Sequence, residues 1–256
     1  LKFSANLTLL YSEHDFADRF AAAASDGFAG AEFVSPYAHA PDRLAEAVRE
    51  SAVTVVLFNT PAGDWEAGER GCACQPGQEA LFRSGVERAI AYARALSCPR
   101  LHVMAGNVPK GVSAEAAEAC FVDNLGWAAV RLAAEGIVAL IEPINPHEMP
   151  GYGLGSLAQA ERVLARVGHA NLRLQFDAYH LAMMGEALVD SFWRLLPLIG
   201  HVQVADMPGR HEPGTGQIDF AGFFDALGAS GYAGWVGAEY RPLAGTSAGL
   251  DWRARI

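Results

Sequence analysis

The chain has 256 residues, 51% of them hydrophobic and 19% charged, with a formal net charge of −10. That length and apolar content build a large core and exclude a disordered chain. The acid excess argues against nucleic acid and anionic membrane as partners, since both call for a basic footprint, and no apolar run reaches the roughly 18 residues of a membrane span.

In chain order, eight short apolar runs rich in β-branched residues recur: KFSANL (2–7), AGAEFV (29–34), TVVLFN (54–59), RLHVMA (100–105), IVALIEP (137–143), LRLQFDAY (172–179), HVQVAD (201–206) and GWVGAEY (234–240). The opening segment reads as a first strand rather than a leader. Between the runs lie segments with apolar residues three and four apart: DFADRFAAAAS, PDRLAEAVRE, QEALFRSGVERAIAYARAL, SAEAAEACFVDNLGWAAVRLAAE, SLAQAERVLARVG, EALVDSFWRLLPLI and DFAGFFDALGAS. Gly27, Gly136 and Gly168 stand where helices would close. Eight strand–helix units of about 32 residues predict a single-domain α/β fold over 1–256, the (β/α)8 TIM barrel. The tail after residue 240 reads as loop-like. Two connections are long, 60–77 and 207–218. Both follow strands, so both belong to the end of the barrel that carries active sites, and the first, with Trp65, reads as a lid.

Cys72, Cys74, Cys98 and Cys120 are too few for a disulfide scaffold in a chain this long and read as free thiols of a cytoplasmic protein. Lys2 and Lys110 are the only lysines. Neither is placed to reach a pocket, which disfavours Schiff-base chemistry. GYGLGS misses the dinucleotide fingerprint by one position and reads as a loop and helix start.

The chemistry is expected at the C-terminal ends of the strands. Four consecutive runs carry an oxygen ligand there: Glu142 near the end of the fifth, Asp177 in the sixth, Gln203 in the seventh and Glu239 in the eighth. Unpaired buried carboxylates cost several kcal/mol each, and three together repel. A divalent cation, Mg²⁺ or Mn²⁺, resolves both problems with a hard-oxygen ligand set. His180, Glu148, His102 and Arg210 surround this set as candidate substrate-binding groups, although His102 reads equally as a core histidine. His147 and His211 read as solvated loop residues.

The segments FSANL, PAGDWEAGERG, IEPIN, QFDAYH, GHVQVAD, RHEPGTGQID and GWVGAEY resemble the hydroxypyruvate isomerase family of the xylose-isomerase-like barrels. The resemblance implies isomerisation of hydroxypyruvate to tartronate semialdehyde through an enediolate. It also implies Glu142 and Glu239 as the acid–base pair, and Glu142, Asp177, Gln203 and Glu239 as holders of the metal. The 2-oxo-tetronate isomerases share most of these motifs and remain an alternative, as does a ketose 3-epimerase. A non-catalytic sugar-binding barrel is the alternative of a different class. A DNA-repair endonuclease of the same superfamily would need a basic groove. The substrate is thus a small 2-oxo acid or a sugar, and the oligomeric state stays open, a homo-oligomer included. A 2-oxo acid brings its own carboxylate into an acidic pocket and so calls for a cation. Arg210 is the candidate, with His180 assisting, because Lys110 follows the fourth strand and Arg241 is turned away from the side that Glu239 faces.

Overall fold

A computed structural model describes residues 1–255. Strands β1 (Lys2–Asn6), β2 (Gly30–Phe33), β3 (Thr54–Asn59), β4 (Arg100–His102), β5 (Val138–Ile141), β6 (Leu172–Asp177), β7 (Ile199–Val204) and β8 (Trp235–Ala238) close into one barrel in chain order. Its helices are α1 (Arg19–Ser25), α2 (Pro41–Ser51), α3 (Glu79–Leu96), α4 (Ala114–Ala133), α5 (Leu157–Val167), α6 (Ala178–Met183), α7 (Leu188–Leu195) and α8 (Phe220–Ala229). This is the alternation read from the sequence, and the strands are buried along nearly their whole length, as parallel strands covered on both faces must be. Gly27, Gly136 and Gly168 take positive φ of 78°, 70° and 60°, the left-handed closure expected after a helix. No described helix is long and apolar enough to cross a membrane.

By packing, the chain divides into two compact units. One comprises Leu1–Phe33, Asp42–Val56 and the chain from Phe176 onward. Its strands pair in parallel, with Ser4 opposite both Gly30 of β2 and Gly237 of β8, and Gln203 of β7 also opposite Gly237. Its core is aromatic: Phe176 stacks on Phe223 at 5.9 Å, and Phe192 meets both edge-on. The tail differs from the loop expected there. Ser247–Arg255 winds into a 3₁₀-helix, because Trp252 is buried against Phe224 at 6.0 Å and its indole N–H donates to Tyr240 Oη at 3.1 Å.

The other unit comprises Val34–Pro41 and Leu57–Gln175. Here α4 and α5 begin where Ser113 and Ser156 accept hydrogen bonds from Ala116 N–H and Gln159 N–H, so GYGLGS is a loop running into a helix cap. β4 is shorter than its apolar run. Val103 N–H still reaches Leu140 C=O, but Met104 N–H donates to Thr60 Oγ1 and Ala105 N–H to Tyr152 Oη, so side chains take over the donors that a strand ladder would use.

Candidate active site

In the second unit Glu142 follows β5 directly and is buried. It accepts a hydrogen bond from Gln175 Nε2 at 2.9 Å, and His102 Nδ1 lies 3.5 Å from it. Burial pushes the His102 imidazole down to about 3, so the ring is neutral, and neither ring nitrogen has a hydrogen-bond partner among the described residues. Glu148 stands in the turn after β5, where Asn145 Oδ1 accepts from the His147 and Glu148 N–H groups. It is half-buried, at the rim rather than in the interior, and His147 is exposed as expected.

In the first unit Asp177 ends β6 and starts α6, a helix the sequence reading did not foresee. Asp177 Oδ1 accepts from Tyr179 N–H at 2.8 Å and His180 N–H at 3.4 Å. An Asp before AYHLAM is an N-cap signal, and here it fixes a site carboxylate. Asp177 Oδ2 lies 3.7 Å from His180 Nε2 and 3.8 Å from Arg210 Nη2. Arg210 Nη2 lies 3.3 Å from Glu239 Oε1, and Arg210 Nε donates to Glu239 C=O at 3.4 Å. The same guanidinium sits over the Tyr179 ring, 5.1 Å from its centroid. Arg210 is thus buried among the acids, whereas Lys110 and Arg241 are exposed.

The loop that delivers Arg210 is tied down by Asp206. This buried carboxylate accepts from the N–H groups of Met207, Gly214, Gly216 and Ile218. Arg210 itself has φ of 56°, a left-handed conformation that costs a non-glycine residue of order 1 kcal/mol or more. Its carbonyl, accepting from Arg241 N–H at 2.7 Å, helps hold that conformation. His211, expected to be solvated, is half-buried with Nδ1 2.8 Å from Arg241 C=O.

Gln203 is buried on β7, and its amide Nε2 donates to Glu32 Oε1 at 2.8 Å. Sequence reasoning missed Glu32. It lies inside β2, 1% exposed, with Ser4 Oγ donating at 2.7 Å and His201 Nε2 at 2.8 Å. Burial pushes the Glu32 carboxyl up, but the charge and hydrogen bond of His201, with the bonds from Gln203 and Ser4, hold it below its ordinary value. The signal was available, because an acid inside AGAEFV is as foreign to an apolar strand as the four that were chosen.

Asp177 and His180 in the first unit, and Glu142 in the second, are buried side chains that each offer one atom of a kind that binds metal. Gln175 and Asp177 fall on one face of β6 by the two-residue period. Loop 60–77 is ordered by its own bonds. Asp64 N–H donates to Glu69 Oε2 and Gly71 N–H to Ala62 C=O, while the Arg70 guanidinium covers the half-exposed Trp65 ring at 3.6 Å. Between this loop and α3 lies a cavity of about 320 Å³ lined by Thr60, Gly71, Gln78, Phe82 and Arg88 among others. None of the candidate site residues lines it.

Residues 20–256 match the family described as xylose isomerase-like TIM barrel. The chain is 45% identical to a 2-oxo-tetronate isomerase of Cupriavidus necator, over 98% of this chain and 96% of that one. It is also 45% identical to the hydroxypyruvate isomerase of Escherichia coli, over 98% of each. Among solved structures, a protein of Brucella melitensis described as an AP endonuclease of family 2 superposes with a TM-score of 0.96 at 41% identity, covering 99% of this chain and 98% of that one. Full-length likeness to named isomerases, on a barrel with acids at its strand ends, places the chain in the hydroxypyruvate isomerase family of xylose isomerase-like TIM barrels.

Proposed function

We propose that this chain, read as one folding domain of a cytoplasmic enzyme, interconverts hydroxypyruvate and 2-hydroxy-3-oxopropanoate (tartronate semialdehyde). The observation that carries the acid-substrate reading is Arg210, a buried guanidinium set against two site carboxylates by a loop built to hold it. A planar fork of donors matches a carboxylate better than an ammonium does. The arriving substrate carboxylate would exchange with Asp177 or Glu239 as its partner, with His180 alongside.

Moving the carbonyl by one carbon needs one carbon-bound proton removed and another delivered. Glu142 and Glu239 are the pair we assign to this work. One carboxylate takes a proton from C3 of hydroxypyruvate, leaving an enediolate across C2 and C3. A proton is then returned to C2, and the O3 hydroxyl proton passes to O2, so that C3 becomes the aldehyde and C2 carries the hydroxyl. His102, neutral beside Glu142, offers no countercharge and can serve as a neutral hydrogen-bond partner to the substrate. Glu148, at the rim, suits a contact with a substrate hydroxyl.

The donor set fits a divalent cation. Three buried carboxylates and an amide make a hard-oxygen donor set of the kind such an ion takes. Glu142, Asp177, Gln203 and Glu239 would hold it, leaving His180 to the substrate. When bound, Mg²⁺ or Mn²⁺ supplies electrophilic stabilisation of the negative charge that develops on the substrate oxygens.

A second reading, 2-oxo-tetronate isomerase, is favoured to the same degree by the equal identity of the Cupriavidus relative. The endonuclease description of the Brucella protein is not carried over, because a net charge of −10 opposes binding to a polyanion. The deciding experiment is proton NMR in D₂O with hydroxypyruvate and 2-oxo-tetronate in parallel. Deuterium entering at the carbon next to the carbonyl, with appearance of the isomer, is expected for one or both. No exchange with either refutes the reading.

A further inference from the structure

Glu32, which the mechanism above does not use, lies in a pocket of donors inside the first unit. Ser4 Oγ and Gln203 Nε2 donate to it at 2.7 and 2.8 Å, His201 Nε2 lies at 2.8 Å, and Asn6 Nδ2 donates from 3.4 Å. The space it fills is reserved by a glycine. A Cβ on Gly237 would collide with both Glu32 oxygens, and Gly237 stands in register with Ser4 and Gln203 on the flanking strands. The register therefore aligns one residue from each of β1, β7 and β8 around this carboxylate.

An ionised carboxylate accepts hydrogen bonds and donates none. Placed against the terminal amide of Gln203, it can face the NH₂ and not the carbonyl, so the carbonyl oxygen must turn the other way. An amide without such a neighbour presents either end, and an outward NH₂ is useless to a cation. We propose that Glu32 is a positioning residue, whose carboxylate pins the Gln203 amide so that the carbonyl oxygen is the end offered to a divalent cation. His201 anchors the second Glu32 oxygen and so fixes the plane of the carboxylate. The proposal rests on the assignment of Gln203 as a ligand made above.

Mn²⁺ affinity, measured by calorimetry or by the free-ion electron-spin-resonance signal, tests it without reference to turnover. Four proteins are compared: wild type, Gln203→Ala, Glu32→Gln and the double variant, each checked for fold by circular dichroism. Gln at position 32 keeps the shape but can present an NH₂ to Gln203 and allow its amide to flip. Outer-shell changes of this kind typically cost about 10–100-fold in metal affinity, and that loss is expected for Glu32→Gln. In the Gln203→Ala background the same change is expected to cost less than about 3-fold, since nothing remains to be positioned. Gly237→Ala, which leaves every polar group in place but pushes the carboxylate aside, is expected to lose affinity like Glu32→Gln, and it stands in should that variant not fold. Undiminished Mn²⁺ affinity in Gln203→Ala overturns the ligand assignment and the proposal with it. A loss in Gln203→Ala with none in Glu32→Gln, or losses that simply multiply in the double variant, overturns the role of Glu32 alone.

Discussion

Replacing Arg210 by Ala should separate substrates by charge. Arg210 is 8% exposed, and its guanidinium lies 3.3 Å from Glu239 and 3.8 Å from Asp177. A hydrogen bond to a charged group contributes about 1.5–3 kcal/mol, and at about 1.4 kcal/mol per tenfold its loss lowers kcat/KM for hydroxypyruvate by roughly 10–150-fold. Dihydroxyacetone has the same hydroxyketone but a hydroxymethyl group in place of the carboxylate. Its turnover is expected to fall by less than about 3-fold, since it has no carboxylate to engage the fork. Lys at 210 keeps the charge without the fork and is expected to fall between wild type and Ala on hydroxypyruvate. It also protects the comparison, because deleting one member of a buried ion pair can cost about 3–5 kcal/mol of stability. The assay is initial-rate proton NMR on both substrates with each variant, at one metal concentration. Equal losses on the charged and the neutral substrate would make Arg210 a structural anchor and refute the carboxylate-binding argument.

Glu142→Gln and Glu239→Gln should each lower solvent-proton exchange by at least about 10²-fold with the fold intact by circular dichroism; a variant that keeps near-wild-type exchange with metal present does not carry the base. Burial pushes the Cys74 thiol up to about 12, from an ordinary value of 9.0. At pH 8 the native chain should therefore leave Cys74 unlabelled by iodoacetamide while the urea-unfolded chain is labelled, as read by peptide mass. By the same linkage the folded thiol keeps its proton while the unfolded one releases it, so this contribution to stability is intact below pH 9 and fades between about 9 and 12. Rapid labelling of Cys74 in the native state would contradict the burial. If loop 60–77 closes over bound substrate, a substrate analogue should change Trp65 fluorescence by altering its stack with Arg70; an unchanged spectrum together with full activity in Trp65→Ala makes the loop a fixed feature.

The barrel was legible because its signals are local. Every strand run carries its own apolar continuity, and every helix but α6 its own spacing, so eight units could be counted before any contact was known. The boundaries were less legible where side chains intervene. RLHVMA looks like six residues of strand, yet Thr60 and Tyr152 take the Met104 and Ala105 donors and end the ladder early. The tail looks like a loop because its 3₁₀ turns depend on where Trp252 lands, against Phe224 and Tyr240. Arg210 could be singled out from charge balance alone. Its positive φ and the Asp206 knot that holds it could not, since they are made by bonds across the loop.

Glu32 shows where reading strand ends for acids falls short. It is as buried as Asp177, and an apolar strand advertises it equally well. What separates a fixed anion from a base candidate is the set of donors around it, and those come from β1 and β7, with His201 and Gln203 some 169 and 171 residues away in sequence. They meet because parallel register aligns Ser4, Gln203 and Gly237, and because Gly237 leaves the volume a carboxylate needs. An acid whose two oxygens face a serine, a histidine and the amides of Asn6 and Gln203 has all of its roughly four lone-pair sites engaged and none left for a substrate proton. On the proposal above its function is exerted through the groups that hold it, and Gln203 is the one among them assigned to the metal.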